Sequence, residues 1–313
     1  MKQLHLILLI LMNCCWAASY SFYKALLPYL GQGDIVTLRY GLVAIILLMS
    51  WPWLPGAAPT GFRLIRAAFM GMMAFTLSPR LQVLGVQMGS AADASVIAAL
   101  DPLILSVGAA IFLREHIGAR QWFGFVLGII GVVLMAEIWR PDFHWASLAS
   151  NTLIVLSFFC DSTSSIIGKP MVKSAGVFKV LGVAIVAGTA ANLLIDGRST
   201  ASAVTALPMQ AWLFLAFLSI ACTLTGYSVW FAIIRETKIN DAALTVFIQP
   251  IIGTAIAFSW LREPLHWGQL WGSATIATGL MIGLSGQISP RISNIPSDTT
   301  GPDAQNINSV TNG

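Results

Sequence analysis

Four polar side chains stand inside long apolar segments of the sequence: Asn13, Asp101, Asp161 and Gln249. A charge at the centre of a bilayer costs about 2.5–3.5 kcal/mol on insertion scales, so a carboxyl group there faces a cavity or a partner. Asp101 lies about eleven residues into its segment, roughly 16 Å of helix and half of the apolar thickness of a bilayer. These residue types predict a site that binds a polar or cationic ligand or exchanges a proton, with Asp101 as the first candidate acid and Asp161 as its competitor.

Two of the four are followed by proline, in Asp101-Pro102 and Gln249-Pro250. Proline removes one backbone hydrogen bond and loosens a helix. Because interrupted helices at matching positions of two repeats are typical of a substrate site, Pro102 and Pro250 are predicted hinges. The alternative is a pair of passive kinks, with Asp101 paired to an arginine.

Hydroxyl and aromatic side chains accompany these candidates. Asp161 lies in the most polar interior stretch of the chain, which contains Ser157, Ser162, Thr163, Ser164 and Ser165. Aromatic walls for a pocket are expected from the first and eighth apolar segments, through Trp16, Tyr20, Tyr227 and Trp230.

The composition requires lipid around most of the chain. Of the 313 residues, 57% are apolar and 10% are charged, and the mean hydropathy is +0.78. A typical soluble domain carries about 25% charged residues. The net charge of +4 is spread without a basic run, which argues against a nucleic-acid partner. The four cysteines lie in apolar segments without metal or redox spacing, and no cofactor is predicted.

The predicted fold class is an all-α integral membrane protein with ten transmembrane helices, because a span needs roughly 20 apolar residues. The predicted spans are Leu4–Leu27, Ile35–Leu54, Phe62–Val83, Ser90–Leu113, Ala119–Ile138, Trp145–Gly168, Gly176–Ile195, Trp212–Ile234, Asp241–Leu261 and Trp267–Gly286. The polar segment 287–313 is predicted to be a disordered cytoplasmic tail.

The second half of the chain repeats the first. At one constant offset, without a gap, the matching residues are Asp93/Asp241, Pro102/Pro250, Leu113-Arg114-Glu115/Leu261-Arg262-Glu263, Gln121/Gln269, Gly124/Gly272 and Gly131/Gly279. Such self-similarity indicates a tandem duplication. We therefore assign residues 1–144 and 145–286 to two five-helix repeats. Because five is odd, the second repeat enters the membrane inverted, with the site where the halves meet.

Lysine and arginine residues indicate the orientation. Placing the N-terminus inside puts eleven of the seventeen at cytoplasmic ends and four at outer ends, so both termini are predicted to be cytoplasmic. The remaining two, Arg39 and Arg80, lie within spans near the outer surface. They are expected to snorkel there as structural anchors.

The doubled Pro…Leu-Arg-Glu…Gln…Gly…Gly units, together with Trp16–Lys24 and Arg39-Tyr40, resemble the EamA family of the drug/metabolite transporter superfamily. The resemblance covers Leu4–Gly286 and implies two inverted repeats in the cytoplasmic membrane of a bacterium. It also implies a secondary carrier that exports a small polar metabolite, such as an amino acid or a related compound, by alternating access. Multidrug or organic-cation efflux is the alternative, and a proton is the candidate coupling ion.

Two other classes of protein stay open at this stage. An integral-membrane enzyme would need a convergent catalytic set, whereas His5, His116, His144 and His266 are scattered near span ends. A channel is compatible with inverted repeats.

Two repeated motifs have structural interpretations. The Leu-Arg-Glu units are expected to complement the dipoles of adjoining helix ends, and an ion-pair gate is the alternative. The repeated glycines are expected to let helices pack closely.

Overall fold

A computed structural model describes residues 3–136, 145–205, 207–262 and 267–288, and this part of the chain is all-helical. The helices are α1 Gln3–Leu26, α2 Gln32–Met49, α3 Phe62–Met72, α4 Ser78–Met88, α5 Ala91–Ile97, α6 Asp101–Leu113, α7 Ala119–Ala136, α8 Trp145–Ser174, α9 Val177–Val204, α10 Met209–Ala216, α11 Gly226–Glu236, α12 Ile239–Ala243, α13 Ile248–Leu261 and α14 Trp267–Ile288. The predicted tail lies outside the described residues, apart from the last two residues of α14.

Among the described residues, five helical runs are long and apolar enough to cross a membrane: Gln3–Leu26, Gln32–Met49, Val177–Val204, Met209–Glu236 and Ile239–Leu261. Two helices continue past the ends predicted from hydropathy, since α8 runs to Ser174 and α9 to Val204. Hydropathy detects the apolar length of a segment. A helix can continue beyond that length where its polar side chains find partners, as those of α9 do.

Irregular turns interrupt the helices near the predicted polar positions. A 3-10 stretch, Ala98–Leu100, joins α5 to α6, and another, Leu244–Phe247, joins α12 to α13. They immediately precede Asp101-Pro102 and Ile248-Gln249-Pro250, so the helices are irregular at the points that the sequence predicted.

Two π-helical segments were not expected from the sequence. Met73–Leu77 joins α3 to α4, and Phe217–Thr225 joins α10 to α11. Segments of this kind are often found at functional sites, because they break the regular backbone ladder.

The most extensive helix contacts join the first seven helices to the last seven. They include α7 with α14, α2 with α9, α4 with α8, α1 with α13 and α5 with α13. Each half of the chain therefore buries its apolar faces mainly against the other half, and polar groups on those faces meet at the centre.

Repeated glycines bring α7 and α14 together. A Cβ on Gly124 would lie 2.8 Å from the carbonyl oxygen of Gly279, and one on Gly131 would lie 2.7 Å from that of Gly272. Real Cβ atoms essentially never approach so closely. The prediction that these glycines permit close packing is confirmed.

The Leu-Arg-Glu units end helices through their backbone. Arg114 and Arg262 have left-handed φ angles of 55° and 57° and close α6 and α13. This conformation costs a non-glycine residue about 1–2 kcal/mol, so it is a defined stop rather than a frayed end. The arginines thus act through the turn, whereas the sequence predicted that their charge complements the helix dipole. Glu263 lies outside the described residues.

Glu115, the last residue of the first unit, forms a buried ion pair with Lys169 of α8. The Lys169 ammonium also donates to the carbonyl of Thr237 at 2.7 Å, just after α11. The second carboxylate oxygen of Glu115 accepts from the backbone N–H of Asn240 at 3.4 Å. The pair therefore ties the end of α6 to α8 and to the turn between α11 and α12.

Candidate functional site

A cavity of about 70 Å³ lies between the two halves of the chain. It is lined by Trp16, Ser19, Tyr20, Arg39, Tyr40, Ala74, Ser78, Gln82, Asp101, Leu105, Phe158, Asp161, Ser162, Ser164, Ser165, Tyr227, Trp230, Val246 and Gln249. This volume holds a few water molecules. Pockets for drug-sized ligands measure roughly 300–1,000 Å³, so a ligand of that size requires the helices to move apart.

Asp161 is the better-bonded acid of the cavity. One of its carboxylate oxygens accepts from the Ser78 hydroxyl at 2.7 Å and from the Gln82 amide at 3.1 Å. The other oxygen, Oδ1, is buried without a hydrogen-bond partner among the described residues. Both donors stand on α4, directly after the π-helical segment, so that segment aims them at α8.

The hydroxyl groups next to Asp161 in the sequence donate hydrogen bonds to atoms other than its carboxylate. Ser157 donates to the carbonyl of Ile154, Thr163 to that of Phe159 and Ser164 to that of Asp161 itself. These are contacts within one helix, and they leave the Asp161 carboxylate to α4. The polar stretch around Asp161 therefore contributes to the cavity through Ser162, Ser164 and Ser165, which line it, rather than through hydrogen bonds to the carboxylate.

Asp101 lines the same cavity from the first residue of α6. Its side chain makes no hydrogen bond to another described residue. The 3-10 stretch Ala98–Leu100 runs directly into α6, so Asp101 stands at the irregular turn between α5 and α6. The passive-kink interpretation supposed that an arginine pairs with Asp101. No arginine of the described chain does so.

Asn13 lies behind the cavity rather than in its wall. It is fully buried, donates to Thr245 Oγ1 at 3.0 Å and accepts from the Gln249 amide at 2.7 Å. Gln249 itself reaches the lining. Asn13 therefore orients Gln249, and the chain of amides joins α1 to α13.

The predicted hinge prolines lie near these hydrogen-bonded amides, but neither proline lines the cavity. Pro102 is the second residue of α6 and Pro250 the third of α13, and both are buried. At the first turn of a helix, a proline's missing N–H leaves few bonds unmade. The distortion at these sites accordingly resides in the preceding 3-10 stretches.

Three of the four predicted aromatic residues pack together at one wall of the cavity, and all four line it. Trp16 lies 5.3 Å from Tyr227 and 6.0 Å from Trp230, measured between ring centroids. Both indole N–H groups are bonded, that of Trp16 to the Cys222 carbonyl at 2.8 Å and that of Trp230 to Ser165 at 3.1 Å. Tyr20 lines the cavity as well. Fixed indoles present rigid aromatic faces to whatever enters.

Arg39 was predicted to snorkel to the outer surface, and this prediction is wrong. The side chain is 4% exposed and lines the cavity. Its guanidinium donates to the Tyr23 hydroxyl and to Thr223 Oγ1, and lies 5.0 Å from the centre of the Tyr40 ring. Thr223 belongs to the second π-helical segment, whose backbone turn brings it to Arg39.

Arg80 is the contrasting case. It forms an ion pair with Asp196 of α9, and its Nε donates to Asn192 at 3.1 Å. With 20% of its side chain exposed, it anchors α4 to α9 through a carboxylate. Nothing in the sequence distinguishes the two arginines, because their partners lie far along the chain.

Comparison with known proteins places this geometry in a family. Residues 3–136 and 148–284 each match the EamA-like transporter family. An uncharacterized transporter of Bacillus subtilis, YyaM, is 21% identical over 90% of this chain and 94% of its own length. A probable amino-acid metabolite efflux pump of Salmonella typhimurium is 26% identical over 89% and 94%.

A solved structure, described only as the crystal structure of a protein, shows the same fold. Its TM-score is 0.65 at 14% identity, and the match covers 92% of this chain and 98% of that one. The two family matches together span most of the sequence and both sides of the cavity. The chain therefore belongs to the EamA-like transporter family.

Proposed function

We propose that this protein is a secondary carrier that moves a small polar metabolite across the cytoplasmic membrane of a bacterium by alternating access. Its architecture is ten transmembrane helices in two inverted five-helix repeats, residues 1–144 and 145–286. Membership of a transporter family supports a carrier over an enzyme or a channel.

One observation carries the proposal: two half-buried acids, a buried guanidinium and fixed aromatic rings all face one small cavity between the halves. Lone charges in an apolar interior are costly and mark functional sites. A movement of one half against the other would open such a cavity to either side in turn.

The substrate class that fits is an amino acid or a related compound, and the direction is export. The cavity is lined by a positively charged arginine and by two acids, which suits a molecule that carries both an amine and a carboxylate. The similarity to the efflux pump of Salmonella typhimurium supports the same class and direction.

Organic-cation efflux is the second candidate. It is favoured by the aromatic wall of Trp16, Tyr227 and Trp230 beside two aspartates. Aromatic faces attract cations, more so when water is excluded.

A proton is the proposed coupling ion, with Asp101 as the group that exchanges it. Protonation removes the cost of a buried charge, and a substrate amine that approaches the cavity favours release of the proton. The inverted counterpart, Gln249, does not titrate, so coupling would be confined to one half.

The proposed orientation has both termini in the cytoplasm. A phosphatase fused after Gly313 is expected to be inactive, and a fluorescent protein fused there is expected to be bright. Periplasmic phosphatase activity would reverse the orientation and every loop with it.

Flux into liposomes under imposed gradients tests the proposed function. The purified protein is expected to give saturable uptake of at least one compound from a panel of amino acids, amines, organic acids and sugars, accelerated by a pH gradient. Unsaturable flux would indicate a channel, and chemical conversion an enzyme. Empty liposomes serve as the control.

A further inference from the structure

We propose that the cavity selects zwitterions, with Arg39 holding the substrate carboxylate and Asp161 holding its amine. This inference rests on the proposed carrier function and narrows it. It assigns Arg39 a role in specificity and separates the two substrate classes left open above.

Arg39 is built as an anion receptor. Two of the five N–H donors of its guanidinium are bonded, to Tyr23 and Thr223, which leaves three for a ligand. No carboxylate of the described chain pairs with it, and it is 4% exposed. A buried guanidinium whose hydrogen bonds go only to neutral oxygens can still form charge-assisted hydrogen bonds with an anion.

The support behind Arg39 fixes its position. Its backbone carbonyl accepts from the Ser219 hydroxyl at 2.9 Å, and its charge lies over the rings of Tyr23 and Tyr40, 5.5 and 5.0 Å from their centroids. The contacts come from α1, α2 and the second π-helical segment. A site held from three elements is pre-organised, so less ordering is needed when a ligand binds.

Asp161 supplies the negative charge that would hold the substrate amine. Ser78 and Gln82 hold one carboxylate oxygen, while Oδ1 is buried and unpartnered among the described residues. An acceptor left without a donor in an apolar interior is costly, and an ammonium group entering the cavity would satisfy it. Arg39 and Asp161 line the same cavity and attract each other, but they are not in direct contact as an ion pair, so hydrogen-bonding positions on both remain open to a ligand.

An amine without a carboxylate satisfies only one pole. It would pair with Asp161, leave Arg39 without an anion and add a second positive charge close to it. Like charges close together are disfavoured in a low-dielectric site. An N-acetylated amino acid has the reverse defect, because its neutral amide leaves the Asp161 carboxylate without a cation. The aromatic wall then accommodates the side chain of a substrate that carries both charges.

Ligand-induced thermal stabilisation of the purified full-length protein tests the selection. The probes are the twenty L-amino acids, their decarboxylated amines and their N-acetyl derivatives at equal concentration. The wild-type protein is expected to bind at least one amino acid about 10- to 100-fold more tightly than the matching amine and the matching N-acetyl compound. Arg39→Gln is expected to abolish the preference over the amine, and Asp161→Asn the preference over the N-acetyl compound.

Two further variants guard against misfolding. Arg39→Lys keeps the charge and is expected to retain part of the preference, while Arg80→Gln removes an arginine that already has a carboxylate partner and is expected to leave the preference unchanged. Equal binding of amine and amino acid by the wild-type protein would overturn the inference, as would stabilisation by none of the amino acids. Saturable liposome uptake of an amine would in that case leave the carrier function standing, whereas absence of saturable flux for every compound of the larger panel would remove both.

Discussion

Removing one partner of the buried Lys169–Glu115 pair is expected to destabilise the protein more than removing both. The two side chains are 8% and 10% exposed, so water screens neither charge. A charge left without its partner in such a place costs about 3–5 kcal/mol, whereas exchanging a whole buried pair for apolar side chains is often neutral. Lys169→Met and Glu115→Leu should therefore each lower the free energy of unfolding by about 3–5 kcal/mol, and the double variant by about 1 kcal/mol.

The assay is a double-mutant cycle on the purified protein, with the free energy of unfolding measured in denaturant titrations. Lys173→Met is the matched control, because it removes an exposed lysine one turn along the same helix and should change stability by less than about 0.5 kcal/mol. Costs below about 1 kcal/mol for both single variants would refute the reasoning, as would additive effects in the double variant. Transport by a stable double variant then decides the role of the pair. Normal transport rates would indicate that the pair only links helices structurally, whereas lost transport would indicate that it acts as an ion-pair gate.

Two further expectations concern the cavity. Pro102→Ala and Pro250→Ala should each slow transport while the protein stays inserted and folded, because alanine lacks the ring that clashes with the carbonyl four residues earlier, so the 3-10 stretch can become a regular and stiffer helix. Wild-type rates would leave both as passive kinks. Asp101→Asn should transport without dependence on external pH, since an amide exchanges no proton, and this is measured as flux across a pH series. An unchanged pH profile in Asp101→Asn, with loss in Asp161→Asn, would move coupling to α8.

Local signals were enough to predict the membrane class and the irregular helices. Composition and hydropathy require lipid, and the repeated Gly124 and Gly131 predicted close helix packing, although not which helices pack together. Paired prolines beside Asp101 and Gln249 located the interruptions, because proline acts on its own backbone. Span ends were less accurate, since α8 and α9 continue where polar side chains are satisfied by distant partners.

Partnerships across the chain were decided by tertiary structure alone. Arg39 and Arg80 look alike in the sequence, yet one meets Thr223 and a cavity and the other meets Asp196. The donors to Asp161 come from α4, far from the serines beside it in the chain. Residue type and depth in a span thus determined which groups are costly to bury. Only the packing of one half against the other decided which of them have a charged partner, and those without one line the cavity between the halves.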